Sequence, residues 1–313
     1  MSTAAPLSFA PPTAHVAYDY AVLDVFAEQP LEGNALAVFT DARGLTGEEM
    51  QAIARETNLN ETTFILPRDE ATERERGVQV RIFTVREELP FAGHPTLGTA
   101  SWLYLNHPLF ASQQTITLDL QAGQIPVRFN PDRQGPGVFG TMRQNDPIFG
   151  AMHEQEAVAR ALGLTAEDLD PALPIQTVST GMAFCIVPLR SLEVSARLAI
   201  PQQMAQQYLE RTDAKFFFCI ARANPHSAAD WHNRMQFYNG EDPATGSASG
   251  CAIAYLVHHG AVASNAPVVF EQGVEILRPS RIHARASLAG TRVENVFVGG
   301  RTIPTATGRL FLP

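Results

Sequence analysis

The sequence predicts an α+β protein built in two related halves, and three observations carry that prediction. Two stretches share one pattern: His94-Pro95-Thr96-Leu97-Gly98-Thr99-Ala100-Ser101 and Asp242-Pro243-Ala244-Thr245-Gly246-Ser247-Ala248-Ser249. Each reads polar residue, Pro, two residues, Gly, hydroxyl residue, Ala, Ser, at an offset of 242 − 94 = 148 positions. The apolar runs that follow have helical length, so the repeat reads as an internal duplication. Elsewhere strand-like runs come in series with few helices between them, which favours α+β over a doubly wound parallel sheet. At 313 residues the chain also exceeds the usual size of one domain.

Taken in order, residues 20–26, 34–39, 62–66, 78–83, 115–120 and 124–129 read as strands, rich in β-branched and aromatic residues and bounded by turn formers. A helix spans 46–57, opened by Thr46 and Glu49 at capping-box spacing. The first apolar helix follows at Pro95. Residues 130–147, rich in Pro, Gly and Asp, read as a linker. A helix near 154–162 stops at Gly163. Strands follow at 175–178, 184–187 and 216–221, then the second apolar helix from Pro243 to 259, ended by Gly260. Strands at 268–270, 293–298 and 309–312 complete the chain.

Proline suits the first helical position, where a missing N–H is no loss. That places His94 and Asp242 as helix N-caps. Asp is a favoured cap, whereas His is not. Both helices are apolar most of the way round, the mark of a buried helix. Two buried helix starts facing one cleft would gather free N–H groups and two positive dipole ends, a site for a carboxylate. Gly98 and Gly246, in the first turns, suggest that a backbone or a ligand comes close.

Composition excludes several classes. A net charge of −9 opposes nucleic-acid binding. No run of about 18 apolar residues offers a membrane span. Residues 1–17 lack the basic start and apolar core of a signal peptide and read as a mobile extension. Cys185, Cys219 and Cys251 lie in apolar runs without a pairing pattern, as expected of buried reduced thiols in a cytoplasmic protein. Lys215 is the only lysine among 23 basic residues. It opens a strand-like run, a poor place for a pyridoxal phosphate Schiff base. Residues 135–140 match the glycine spacing of a dinucleotide fingerprint but lack a following helix. No Cys or His spacing supports a metal site, and His258 and His259 complement a helix C-terminus.

Glu61, in Asn58-Leu59-Asn60-Glu61-Thr62-Thr63-Phe64, stands at the mouth of an uncharged strand. A carboxylate there could serve as a general base. From its own segment it reads first as a solvated loop glutamate.

The segments around Asn34-Ala35-Leu36-Ala37-Val38, Asn60 to Phe64, Glu88 to Thr96 and Gly240 to Ala248 resemble the phenazine-biosynthesis PhzF-like family, which shares its fold with diaminopimelate epimerase. The resemblance covers residues 18–312, with its motifs in the expected order. It implies two pseudo-symmetric domains, 18–133 and 134–299, each a β-barrel-like sheet around one central helix. It also implies that the strand at 300–313 returns to the first domain. It implies an isomerase without cofactor or metal, acting by proton transfer at carbon on a small carboxylate between the domains, and a homodimer. Glu61 would be the main acid/base, assisted by His94 and Asp242. Asn60, Gly93, Gly246 and Ser247 would bind substrate. Many members carry Ser where this chain has Asn60, a departure that bears on substrate preference. The epimerase relatives place a Cys pair at the two helix starts, where this chain has His94 and Asp242. An epimerase or racemase using Glu61 and Asp242 as opposed bases, or a non-catalytic small-molecule binder, are the alternatives.

Overall fold

The computed structural model describes residues 16–312 apart from 112, 132–133 and 238–239. Residues 1–15 of the expected extension fall outside them. Residues 16 and 17 belong to a strand.

Eight strands close into a barrel. In pairing order they are β1 (Val16–Val25), β2 (Asn34–Phe39), β3 (Glu61–Leu66), β4 (Val78–Thr84), β6 (Thr115–Leu120), β7 (Gly123–Phe129), β8 (Val138–Arg143) and β18 (Arg292–Leu312), which pairs back to β1. The short β5 (Glu88–Leu89) hangs on β4. Closure rests on β18, paired along its far half with β1 from Val25↔Thr302 to Val16↔Leu312. Inside the barrel lies α3 (Gly93–Asn106), touching β1, β2, β3, β6, β7, β8 and β18. The neighbours β2 and β3 run parallel and are buried on both faces. Their outer face is covered by Met50, Ile53 and Ala54 of α1 (Gly47–Thr57), packed with Phe39, Phe64 and Phe83. The Thr46–Glu49 capping box opens α1, and α2 (Glu70–Arg76) precedes β4.

From β18 the sheet continues through β17 (Ser280–Ala289), β16 (Val268–Gln272), β13 (Trp231–Arg234), β12 (Phe216–Arg222), β11 (Ala183–Pro188), β10 (Gln176–Ser179) and β9 (Ile148–Met152). This sheet wraps α7 (Gly246–His258), which touches β10 and β11 towards one end and β17 and β18 at the other. Among the described residues β9 pairs only with β10, so this sheet stays open. The short β14 (Gln236–Phe237) and β15 (Gly240–Glu241) form a separate antiparallel pair just before α7. The helices α4 (Gln155–Ala161), α5 (Leu192–Arg197) and α6 (Gln202–Leu209) lie outside the sheet, over Cys185, Phe217 and Cys219. Pairings β2–β3, β4–β6, β11–β12 and β13–β16 are parallel, so the sheet is mixed.

Two sequence expectations need correction. Residues 130–147 contain β8, which pairs with β7 through Val127↔Met142 and completes the barrel beyond position 133. The glycine pattern at 135–140 therefore runs into an antiparallel strand rather than a helix. Residues 293–298 and 309–312 are not separate strands but parts of β18.

Candidate active site

The same letters open the two central helices at different places. Ala92, extended, is the N-cap of α3, so Gly93 and His94 are already helical and Pro95 is the third residue. Pro is tolerated there because the first N–H groups of a helix have no partner within it. In the second half the helix starts at Gly246, four residues after Asp242. Gln272 of β16 holds the intervening loop: its Nε2 donates to the Asp242 carbonyl at 2.7 Å and to Thr245 Oγ1 at 2.9 Å, while its Oε1 accepts from the Thr245 N–H at 3.2 Å. Neither His94 nor Asp242 is a cap. The structural offset of the helix starts is 246 − 93 = 153 residues, not 148.

Those starts abut. A Cβ on Gly93 would lie 2.8 Å from the Ser247 nitrogen and 3.2 Å from the Gly246 Cα. Glycine at 93 is thus a close-approach requirement between two backbones. Gly98 has a different role, packing against Leu36 and Val25 of the barrel wall. Two positive helix ends meet at this junction, with Ser247 buried beside them.

Strand topology brings the remaining groups to the same point. Asn58, in the left-handed conformation, ends α1 and turns the chain into β3. Glu61 is the first residue of β3, paired with Leu36 and Thr84. It is not a solvated loop residue: it is 7% exposed, and its Oε2 has no hydrogen-bond partner among the described residues. His94 Nδ1 stands 3.6 Å from that oxygen, and His94 Nε2 is also buried with no hydrogen-bond partner among the described residues. Asp242 Oδ1 accepts from Asn60 Nδ2 at 2.6 Å and from Asn34 Nδ2 at 2.7 Å, and Oδ2 accepts from the Thr245 hydroxyl. Glu61, Gly93, His94, Asp242, Gly246 and Ser247 line one cavity, closed by Leu89, Met182, Phe184 and Phe237. As it stands the cavity has room for about one water.

Burial dominates the electrostatics. It holds His94 neutral, lowered to about 3. It pushes Glu61 well above the usual carboxylate range, with the charge of Asp242 adding to the effect. It raises Asp242 to about 6, against the donors Thr245, Asn60 and Asn34 that favour its ionised form. One negative charge is tolerated here more easily than two. Asp242, with three donors, is the better placed of the two to carry it.

All seven residues picked from the sequence therefore converge, six lining the cavity and Asn60 holding Asp242 from behind. Sequence reasoning missed Asn34, Thr245 and Gln272. Asn34 offered one signal, an amide opening an otherwise apolar strand. Gln144 was missed too: buried, it donates from Nε2 to the Gly246 carbonyl at 2.9 Å and fixes the first turn of α7. Cys251 is buried within α7, its thiol pushed up to about 11. Among the described residues no group of three or more His, Cys, Asp or Glu side chains is placed to hold a metal ion. Among them, too, no helix is long and apolar enough to cross a membrane.

Comparison with known proteins gives one family. The model of the phenazine biosynthesis-like PhzC-PhzF proteins matches residues 23–308. The chain is 36% identical over 297 residues to a trans-2,3-dihydro-3-hydroxyanthranilate isomerase of Pseudomonas aeruginosa, covering 94% of this chain and 99% of the relative. A solved structure of a predicted epimerase from Pseudomonas aeruginosa aligns with a TM-score of 0.79 at 36% identity, covering 94% of this chain and 99% of the other. A PhzF-family protein of Bacillus anthracis aligns with a TM-score of 0.84 at 27% identity, covering 95% and 100%. The chain belongs to the phenazine biosynthesis-like PhzF family and is an isomerase.

Proposed function

We propose that the protein moves a proton at carbon of a small carboxylate substrate, without a cofactor, using Glu61 as acid and base. The observation that carries this is the bare Glu61 Oε2, buried in a cavity beside two helix starts. A carboxyl whose proton affinity is raised by burial is, once ionised, a stronger base towards a C–H bond. Glu61 takes the proton from one carbon, becomes the neutral acid, and returns it to another. The charge that develops on the substrate is met by the N–H groups at Gly93–His94 and Gly246–Ser247, donors fixed before the reaction begins. The relative named for a hydroxyanthranilate supports a carboxylate substrate.

Asp242 takes a supporting part in this reading. Both its oxygens are occupied by Asn34, Asn60 and Thr245, which counts against an epimerase with Asp242 as an opposed base. The homodimer expected of the family, and a cytoplasmic location, belong to the same proposal.

The test is C–H exchange in deuterated buffer with a panel of small cyclic and amino carboxylic acids. Glu61→Gln should reduce exchange by about 100-fold or more. Wild-type exchange in that variant would remove Glu61 as the base. Inversion at a single stereocentre, in place of a proton shift between carbons, would favour the epimerase.

A further inference from the structure

Asn34 opens β2 and faces both halves of the chain. Its amide nitrogen lies 2.7 Å from Asp242 Oδ1, 3.0 Å from the Ala244 carbonyl oxygen and 3.4 Å from His94 Nδ1. The orientation of the amide follows from the first two contacts: the opposite one would set oxygen against a carboxylate and a carbonyl. The amide's two hydrogens face two oxygen acceptors and the ring nitrogen, and the nearer oxygens take the larger share. His94 Nδ1 therefore faces an NH2 group on one side. On its other side Glu61 Oε2 stands 3.6 Å away, too far for a hydrogen bond. A proton on Nδ1 would point at the amide hydrogens of Asn34, with no acceptor within hydrogen-bond distance among the described residues. The ring's remaining nitrogen, Nε2, is buried with no partner among the described residues.

We infer that Asn34 is a positioning residue for the reaction: its amide ties Asp242 and Ala244 to β2 and fixes His94 as the Nε2–H tautomer. His94 then offers a neutral N–H to a ligand in the cavity that it lines. Such a donor stabilises an oxyanion on the substrate without surrendering its proton. Asn60 shares the tether on the same oxygen of Asp242. This role rests on the proposed reaction taking place in this cavity, whereas the tautomer is a property of the protein alone.

The experiment begins with ligand-free 15N-labelled protein at neutral pH. Ring nitrogen shifts of His94, assigned by their loss in His94→Gln, should show Nε2 protonated and Nδ1 bare. Nδ1 protonated, or a ring exchanging between tautomers, overturns the inference. Asn34→Asp, which puts an acceptor beside Nδ1, should move the proton to Nδ1. Asn34→Ala should leave the tautomers mixed and lower the rate of deuterium exchange about 100-fold, with a smaller change in KM. An unchanged tautomer in both variants also overturns it. If neither variant folds, the wild-type spectrum decides alone. The expected tautomer with no exchange of any carboxylate would sink the proposed reaction and leave the hydrogen-bond role of Asn34 standing.

Discussion

Asp242→Asn should stabilise the folded protein by an amount that grows with pH. Asp242 is 5% exposed, and burial raises its carboxyl from 3.8 to about 6. That difference corresponds to ~3 kcal/mol of preference for the protonated form in the folded state. The sign follows from linkage. Below 3.8 both the folded and the unfolded chain hold the proton, and the group exerts no pH-dependent penalty. Between 3.8 and about 6 the unfolded chain releases the proton while the folded chain keeps it, so stability falls as pH rises. Above about 6 both forms are ionised and the full ~3 kcal/mol is lost.

The substituted amide keeps a carbonyl oxygen for Asn34 and Asn60 and turns an NH2 towards the Thr245 hydroxyl, which can accept. It therefore retains the tether without the buried charge. Glu61 moves the same way, because the charge of Asp242 is the second cause of its elevation. Urea unfolding of both proteins between pH 4 and 7 reads the difference. The advantage of the Asp242→Asn variant over wild type, relative to its value at pH 4, should reach ~2 kcal/mol at pH 7, or ~4 °C in Tm for a chain of this size. Parallel stability curves would show that the carboxyl is not elevated. A variant that loses stability relative to wild type as pH rises would show that the three donors outweigh burial.

Gly93→Ala should separate the helix starts, because its Cβ would meet the Ser247 nitrogen at 2.8 Å. We expect ~1–3 kcal/mol of destabilisation in urea and about 100-fold slower deuterium exchange. Gln272→Ala removes three hydrogen bonds from a side chain with no exposure, and should cost ~3 kcal/mol by the same unfolding assay. Cys185, Cys219 and Cys251 are buried, with their thiols pushed upward by burial. At pH 8 iodoacetamide should modify none of them in the folded protein and all of them in urea, as read by intact mass; modification of Cys251 in the folded state would contradict its burial.

How much of this was legible in the sequence depended on how local each cause was. β2 and β6 are found at the bounds read from their apolar runs, and the α1 capping box is formed by Thr46 and Glu49. Those signals need only neighbours in the chain. The start of α7 was misplaced because its cause lies 30 residues downstream, in Gln272 on another strand. Glu61 read as a loop residue because its burial is produced by β2, β4 and α3, none adjacent in sequence. β8 was hidden in a Pro/Gly-rich stretch, and one of its two partner strands, β18, lies far along the chain, with Phe297 opposite Arg143 and Thr302 opposite Val138.

The repeated motif carries the most instructive mismatch. Its letters place Pro95 and Pro243 in register, yet only Pro95 lies in a helix. The features that meet in space are Gly93 and Gly246, which the alignment of the two stretches sets five positions out of phase. The site is therefore asymmetric in its construction as well as in its side chains. α3 brings His94 in on its first turn, while the segment before α7 stays unwound long enough for the carboxylate of Asp242 to reach Asn34 and Asn60 across the cleft. A helix that began at Pro243 would draw Asp242 into a cap, satisfying the N–H groups that the proposed substrate carboxylate needs. By holding that loop open, Gln272 keeps the tether and leaves those N–H groups free for the proposed substrate.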